Sequence, residues 1–211
     1  MTFEYADRAI RDLNKRNLRL FDRLKTLKFD ELNVMSAVSK VYDESVRLAK
    51  KRYLQIAMEA YIDAMVLADI AEKEAEKRAE DSITEDWILD MIEDYDEVTL
   101  YRFDHEVDRK KQRTAESILA DNNKNEAIDR ALKIWSRQLA QYADNAVVMA
   151  TIDAFRDAGV EQVQWVSERD EKVCMECREL DGKVFPIDNI PPLAHYRCRC
   201  TLVIVKRKQK N

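Results

Sequence analysis

The sequence predicts a mainly α-helical protein in which long amphipathic helices are followed by a small zinc-stabilised β-rich module at the C-terminal end. Both glycines and all three prolines of the 211 residues lie at or after Gly159, so the first 158 residues lack the residues that most often interrupt helices. Apolar residues recur there at steps of three and four. All four cysteines lie between Cys174 and Cys200. We therefore predict a helical, partner-binding domain at 1–158 and a β-rich zinc-binding module with a basic tail at 159–211.

Five helices are predicted before Gly159. The first covers about 3–27, and the clearest covers about 29–78, where one apolar stripe of about 70 Å has Ser45 filling its single gap. A capping box that starts at Ser82 predicts a short third helix. The fourth covers about 98–120 and ends at the polar run 121–125. The last long helix ends at Gly159, a residue that readily adopts the left-handed conformation of a helix C-cap.

Single residues outside the cysteine pattern have structural interpretations. His105 stands in a charged helix and is predicted to lie on the surface rather than to bind a metal. Trp87, Trp135 and Trp165 are predicted to anchor the core.

The pattern changes after Gly159 to short runs of β-branched and aromatic residues. These runs predict strands at about 160–166, 184–185 and 201–205. A module of about 50 residues seldom holds together by apolar burial alone, and it often needs a metal ion or disulfides.

The cysteines form a pattern typical of a metal site. A Cys-x2-Cys pair is followed, after a 17-residue spacer, by His-x2-Cys-x-Cys, and such pairs present thiolates and an imidazole to one tetrahedral zinc ion. One structural Zn²⁺ per chain is predicted, with either three cysteines plus the histidine or all four cysteines as ligands. The five candidate ligands are Cys174, Cys177, His195, Cys198 and Cys200.

Two other interpretations of the cysteines are two disulfides and four unrelated buried thiols. The start of the chain is polar and has no apolar stretch typical of a signal peptide, which predicts synthesis in a reducing host cytoplasm and disfavours disulfides. Four or five ligands, with no His-x-Glu or His-Glu-x-x-His arrangement, favour a closed structural site over a catalytic one. No Gly-rich phosphate loop or Ser-His-Asp set is present, so no enzymatic activity and no catalytic residue is predicted.

Charge limits the class of partners. The formal net charge is −5, and it is divided into −7 before residue 160 and +2 from there onward. An acidic helical body is not typical of a general nucleic-acid binder. No apolar run approaches the roughly 20 residues that a membrane helix needs.

The C-terminal residues resemble the C-terminal module of phage minor head proteins, the Mu F-like head morphogenesis family. The resemblance is carried by three stretches, 165–177, 180–185 and 191–200, which read WVSERDEKVCMEC, LDGKVF and PPLAHYRCRC. The helical remainder agrees with the family in character only. The resemblance implies a non-enzymatic minor capsid protein, made in the host cytoplasm and placed inside the phage head near the portal, that aids head morphogenesis and DNA packaging or delivery.

The resemblance also implies partners. These are the portal and other head proteins, and packaged DNA is a further candidate through basic residues of the tail, namely Arg197, Arg199, Lys206, Arg207, Lys208 and Lys210. The alternative interpretation is a zinc-ribbon protein that binds nucleic acid through the same basic residues. A third, an enzyme fused to a head-protein module, lacks a visible catalytic set.

Overall fold

The computed structural model describes residues 4–99, 103–167, 173–191, 198 and 200–205. These residues form seven helices and three short strands, so the predicted mainly helical fold class with a small β-rich C-terminal part is confirmed. The elements are α1 Glu4–Thr26, α2 Val34–Leu67, α3 Glu72–Ser82, α4 Glu85–Thr99, α5 Phe103–Ala120, α6 Lys124–Asp157, β1 Gln162–Val166, α7 Met175–Leu180, β2 Val184–Pro186 and β3 Thr201–Ile204.

Helix α2 is the centre of the helical part. It packs against α1, α3, α5 and α6, and α6 also packs along α1 and α5. Helices α2 and α6 each have 34 residues, which corresponds to about 51 Å. Their contact is lined by large buried side chains, among them Tyr53, whose hydroxyl donates a hydrogen bond of 2.7 Å to the Leu139 carbonyl. A stripe of apolar residues on each helix therefore becomes one continuous core.

The predicted single helix at 29–78 is wrong at both ends. Helix α2 begins at Val34 because the side chain of Asp30 accepts hydrogen bonds from the backbone N–H groups of Leu32 and Asn33, an Asx turn that replaces helical bonding. It ends at Leu67, after which Asp69 adopts a left-handed conformation with φ 66°. Aspartate tolerates this conformation better than most residues, so a chain without glycine breaks here and restarts as α3.

The predicted capping box at Ser82 is also wrong, by two residues. Ser82 is the last residue of α3, and the cap of α4 is Thr84, whose side chain accepts a hydrogen bond of 3.2 Å from the Trp87 N–H. The predicted helix at 98–120 begins later, because α4 continues to Thr99 and α5 starts at Phe103.

Other predicted boundaries are confirmed. Asn123 caps α6 by accepting a hydrogen bond from the Glu126 N–H, and Gly159 ends the same helix with φ 74°. His105 is exposed, whereas Trp135 and Trp165 are fully buried. Trp87 is half-buried and donates a hydrogen bond of 2.8 Å from Nε1 to Asp153.

The three strands form one antiparallel sheet in the order β2-β1-β3. In the central strand β1, Val163 and Trp165 are buried, whereas Gln162 is exposed. An ion pair of 3.1 Å from Arg156 Nε to Asp188 joins the end of α6 to the turn after β2. Strand β1 begins three residues after Gly159, and the sheet has one face turned inward.

Candidate metal centre

The first two cysteines lie at the start of α7, between β1 and β2. Cys174 is the N-cap of this six-residue helix, and its sulfur accepts a hydrogen bond of 3.3 Å from the Cys177 N–H. Cys177 is buried on the inner side of the helix, and Cys174 is half-buried. The Cys-x2-Cys segment thus forms the first turn of a short helix, which directs the Cys177 thiol inward. The sequence pattern did not predict a helix here.

The other two cysteines precede strand β3. Cys198 and Cys200 are both buried, as is Leu202 within the strand, so buried side chains recur at every second position. This period of two is that of extended chain with one face turned inward. The pairing of Thr201 with Val166 fixes Cys200 beside the end of the central strand.

Three thiols converge between these elements. The sulfurs of Cys177, Cys198 and Cys200 lie within 4.8 Å of one another, and those of Cys177 and Cys198 are 3.6 Å apart. Four ligands at about 2.3 Å around a tetrahedral zinc ion have sulfur atoms about 3.8 Å apart, so the spacing of this pair fits an edge of such a site. All four cysteines are free thiols.

Burial dominates the electrostatics of the three-thiol cluster. It raises the pKa of the Cys177 thiol well above its usual range, with neighbouring thiols adding to the effect. Burial also raises the pKa of the Cys200 thiol to about 11. The Cys177 thiol and, more weakly, the buried Trp165 N–H oppose this rise as donors toward the Cys200 sulfur. Without a cation the side chains of Cys177 and Cys200 are therefore neutral thiols, and a bound metal ion would favour their thiolate form.

The donor set fits a soft metal ion. Three buried sulfurs within 4.8 Å of one another could supply three of the four ligands of a tetrahedral zinc site. Cys174 lies next to this cluster, because its sulfur contacts the Cys177 N–H, but it is outside the group of three. His195 lies outside the described residues, as do the predicted DNA-contacting residues Arg197, Arg199, Lys206, Arg207, Lys208 and Lys210.

The Leu-Asp-Gly segment supports the cluster through one side-chain and one backbone hydrogen bond. The Asp181 carboxylate accepts a hydrogen bond of 2.9 Å from the Ser167 N–H, and the Gly182 N–H donates one of 2.8 Å to the Trp165 carbonyl. Gly182 has φ 78°, a value that favours glycine. These contacts hold the end of α7 against β1, and Asp181 therefore positions the Cys177 turn, a role that the sequence pattern alone did not assign.

The fold and the site together define a class of protein: a bundle of long helices that leads into a small antiparallel sheet with a buried three-cysteine cluster. Residues 109–203 match the family described as phage Mu protein F like protein. This match confirms the resemblance predicted from the sequence and extends it over residues 109–203. The match begins within α5, so it includes helical residues far before Trp165 and extends beyond the predicted motif.

Among curated proteins and solved structures, none matches this chain. In the described residues, no helix combines the length and the apolar composition that crossing a membrane requires.

Proposed function

We propose that this protein is a non-enzymatic structural protein of a phage head, in which it aids head morphogenesis. The observation that carries the proposal is the match of residues 109–203 to the phage Mu F-like family. The proposal also includes a position inside the head near the portal and a role in DNA packaging or delivery. These two parts rest on the family resemblance.

The helical residues provide the surface for docking on other head proteins. Several large apolar side chains of the helices are exposed, including Leu18, Leu67 and Ile134, and such side chains on long helices are typical of surfaces that bind partner proteins. We therefore propose the division into a partner-binding part at 1–158 and a compact module at 159–211. The ion pair of 3.1 Å between Arg156 Nε, near the end of α6, and Asp188, after β2, supports a fixed connection between the two parts.

The module holds one structural zinc ion in this proposal. Cys177, Cys198 and Cys200 are three of the ligands, and Cys174 or His195 is the fourth. The ion would tie α7 to the residues before β3, two segments that are separated by 21 positions between Cys177 and Cys198. A bound ion of this kind contributes on the order of 10 kcal/mol to the stability of a small module.

The first experiment is elemental analysis of the purified chain together with thiol titration before and after chelation. We expect about one zinc per chain, with thiols that react only after the chelator is added. Cys177→Ser should lose the metal. Cys174→Ser and His195→Ala then identify the fourth ligand. Of these two variants, only the one that removes the fourth ligand should bind zinc more weakly than the wild type. Absence of zinc together with absence of titratable thiols would contradict the metal site.

A second experiment tests the role in the head. The chain is produced together with the phage portal and major head protein, and the particles are isolated and washed with salt. We expect the chain to remain with particles that contain the portal and to be lost from particles assembled without it. Equal retention by both kinds of particle would contradict the position near the portal, and absence from both would contradict the head protein assignment.

A further inference from the structure

An apolar groove lies at the end of the bundle where α1 leads into α2. Its volume is about 460 Å³, and apolar side chains including Leu24, Leu27, Phe29 and Val41 line it. Leu27 is 42% exposed, and Leu32 in the same connection is 93% exposed. Leucine side chains that remain open to water beside a groove indicate a surface that a partner covers.

The rim of this groove is cationic. Arg23, Lys28 and Lys40 line it and are exposed, and none of the three forms an ion pair with a described residue. The single acidic residue of the lining, Glu44, is already bound by two guanidinium nitrogens of Arg47 at 2.7 and 2.9 Å. The groove is therefore a site of positive charge on a helical body whose net charge is negative, and it favours an acidic partner with an apolar side chain.

Helix α4 has a surface of this chemistry. Glu85, Asp86, Leu89 and Asp90 are all exposed, and their spacing of four places Glu85 with Leu89 and Asp86 with Asp90 on one side of the helix. Leu89 is 44% exposed between these carboxylates. In the parts of the chain that the structure describes, the three carboxylates form no ion pair.

The groove and the acidic face of α4 lie at opposite ends of the same bundle. Lys124 at the start of α6 donates a hydrogen bond to the Leu27 carbonyl at the groove, whereas Asp153 near the end of α6 accepts one from Trp87 of α4. The two α6 positions are 29 residues apart, which corresponds to about 44 Å along the helix. One chain therefore cannot place its own α4 in its own groove.

We propose that the groove receives the acidic face of α4 from a second copy of this chain. Leu89 of one copy enters the apolar groove of the next, and its flanking carboxylates meet the rim of Arg23, Lys28 and Lys40. Because two different surfaces are joined, the contact is head-to-tail and leaves one groove and one α4 face free at the ends of each assembly. The association depends on charge and therefore weakens as the salt concentration rises.

The test uses two charge-reversed variants of the full chain, Lys28→Glu with Lys40→Glu in the groove and Asp86→Lys with Asp90→Lys on α4. Sedimentation at low salt should show the wild type associating as its concentration rises, whereas each variant alone is a monomer. Mixed in equal amounts, the two variants should associate again with equal numbers of each. The acidic groove of the first accepts the basic helix of the second, and the unchanged groove of the second accepts the unchanged helix of the first. Far-UV circular dichroism checks that both variants keep their helices.

Lys51→Glu with Lys133→Glu is the matched control, since both lysines are exposed, lie outside the groove and undergo the same change of charge. This control should associate like the wild type. The proposal is overturned if the wild type stays a monomer at low salt, whether or not an acidic helical peptide binds its groove. It is also overturned if the two variants do not associate when they are mixed. Zinc content, which tests the proposed function, is unaffected by all of these changes.

Discussion

The hydroxyl of Ser45 connects three helices in the interior of the bundle. Trp135 of α6 donates a hydrogen bond of 2.7 Å from Nε1 to this hydroxyl, which in turn donates one of 2.6 Å to Asn17 Oδ1 of α1. All three side chains are fully buried. The chain of bonds satisfies polar groups that would otherwise be costly to bury, and it fixes the register of the three helices relative to one another.

Replacement of this hydroxyl is expected to destabilise the bundle. Ser45→Ala leaves the Trp135 N–H and the Asn17 carbonyl oxygen without a partner in the core, and the cost is about 1–3 kcal/mol in the free energy of unfolding. Urea unfolding followed by circular dichroism measures it. Ser39→Ala in the same helix gains the same helix propensity without losing a buried bond and serves as the control. Equal stability of the two variants would contradict the role of Ser45.

Two helix ends of the bundle share one backbone arrangement. After α6, the Val160 N–H bonds the Phe155 carbonyl and the Gly159 N–H bonds the Arg156 carbonyl. After α2, the Ile70 N–H bonds the Met65 carbonyl and the Asp69 N–H bonds the Val66 carbonyl. Both are Schellman motifs with a residue at positive φ. The glycine of the first predicts it from sequence, whereas the aspartate of the second gives no comparable signal.

The left-handed conformation at Gly159 is expected to determine how well α6 leads into the sheet. Gly159→Ala places a side chain at φ 74°, where no atom lies within 4 Å of the added Cβ, so the loss comes from backbone strain alone and is about 1 kcal/mol. Thermal unfolding measures the change in midpoint. Gly159→Asn should lose less, because asparagine tolerates this conformation. An alanine variant as stable as the wild type would contradict this account.

At the scale of the whole molecule, the proposed division at 158 makes the cysteine cluster and the helical core separate sources of stability. The large buried side chains of the bundle, such as Tyr53 and Trp135, lie on α2 and α6, whereas the cysteines lie among residues of the sheet such as Val163 and Trp165. Removal of a metal ion from the cluster therefore acts on the small module first.

Chelation is expected to unfold the module and to leave most of the helicity intact. Far-UV circular dichroism should change little, while thiol reactivity should rise to about four groups per chain and the emission of the buried Trp165 should shift to longer wavelength. Cys177→Ser should give the same spectrum without a chelator. Loss of most helical signal on chelation would show that the module and the bundle unfold together and would contradict the division at 158.

The sequence by itself determined the helical class, the end of α6 and the three strands, because these follow from local patterns. Helices show apolar steps of three and four, glycine marks a left-handed cap, and strands show runs of β-branched residues. It also determined which residues are metal candidates, since ligand chemistry and spacing are visible in the chain, and residues 109–203 carry the predicted family resemblance.

Only the tertiary structure decided where α2 ends, which thiols meet and what Ser45 does. The break at Asp69 arises because α3 folds back onto α2, a packing contact between segments that no local pattern contains. Cys177 meets Cys198 and Cys200 because the register of β1 with β3 brings their segments together. Contacts of this kind join residues far apart in sequence, and their energy depends on the burial that the whole fold creates.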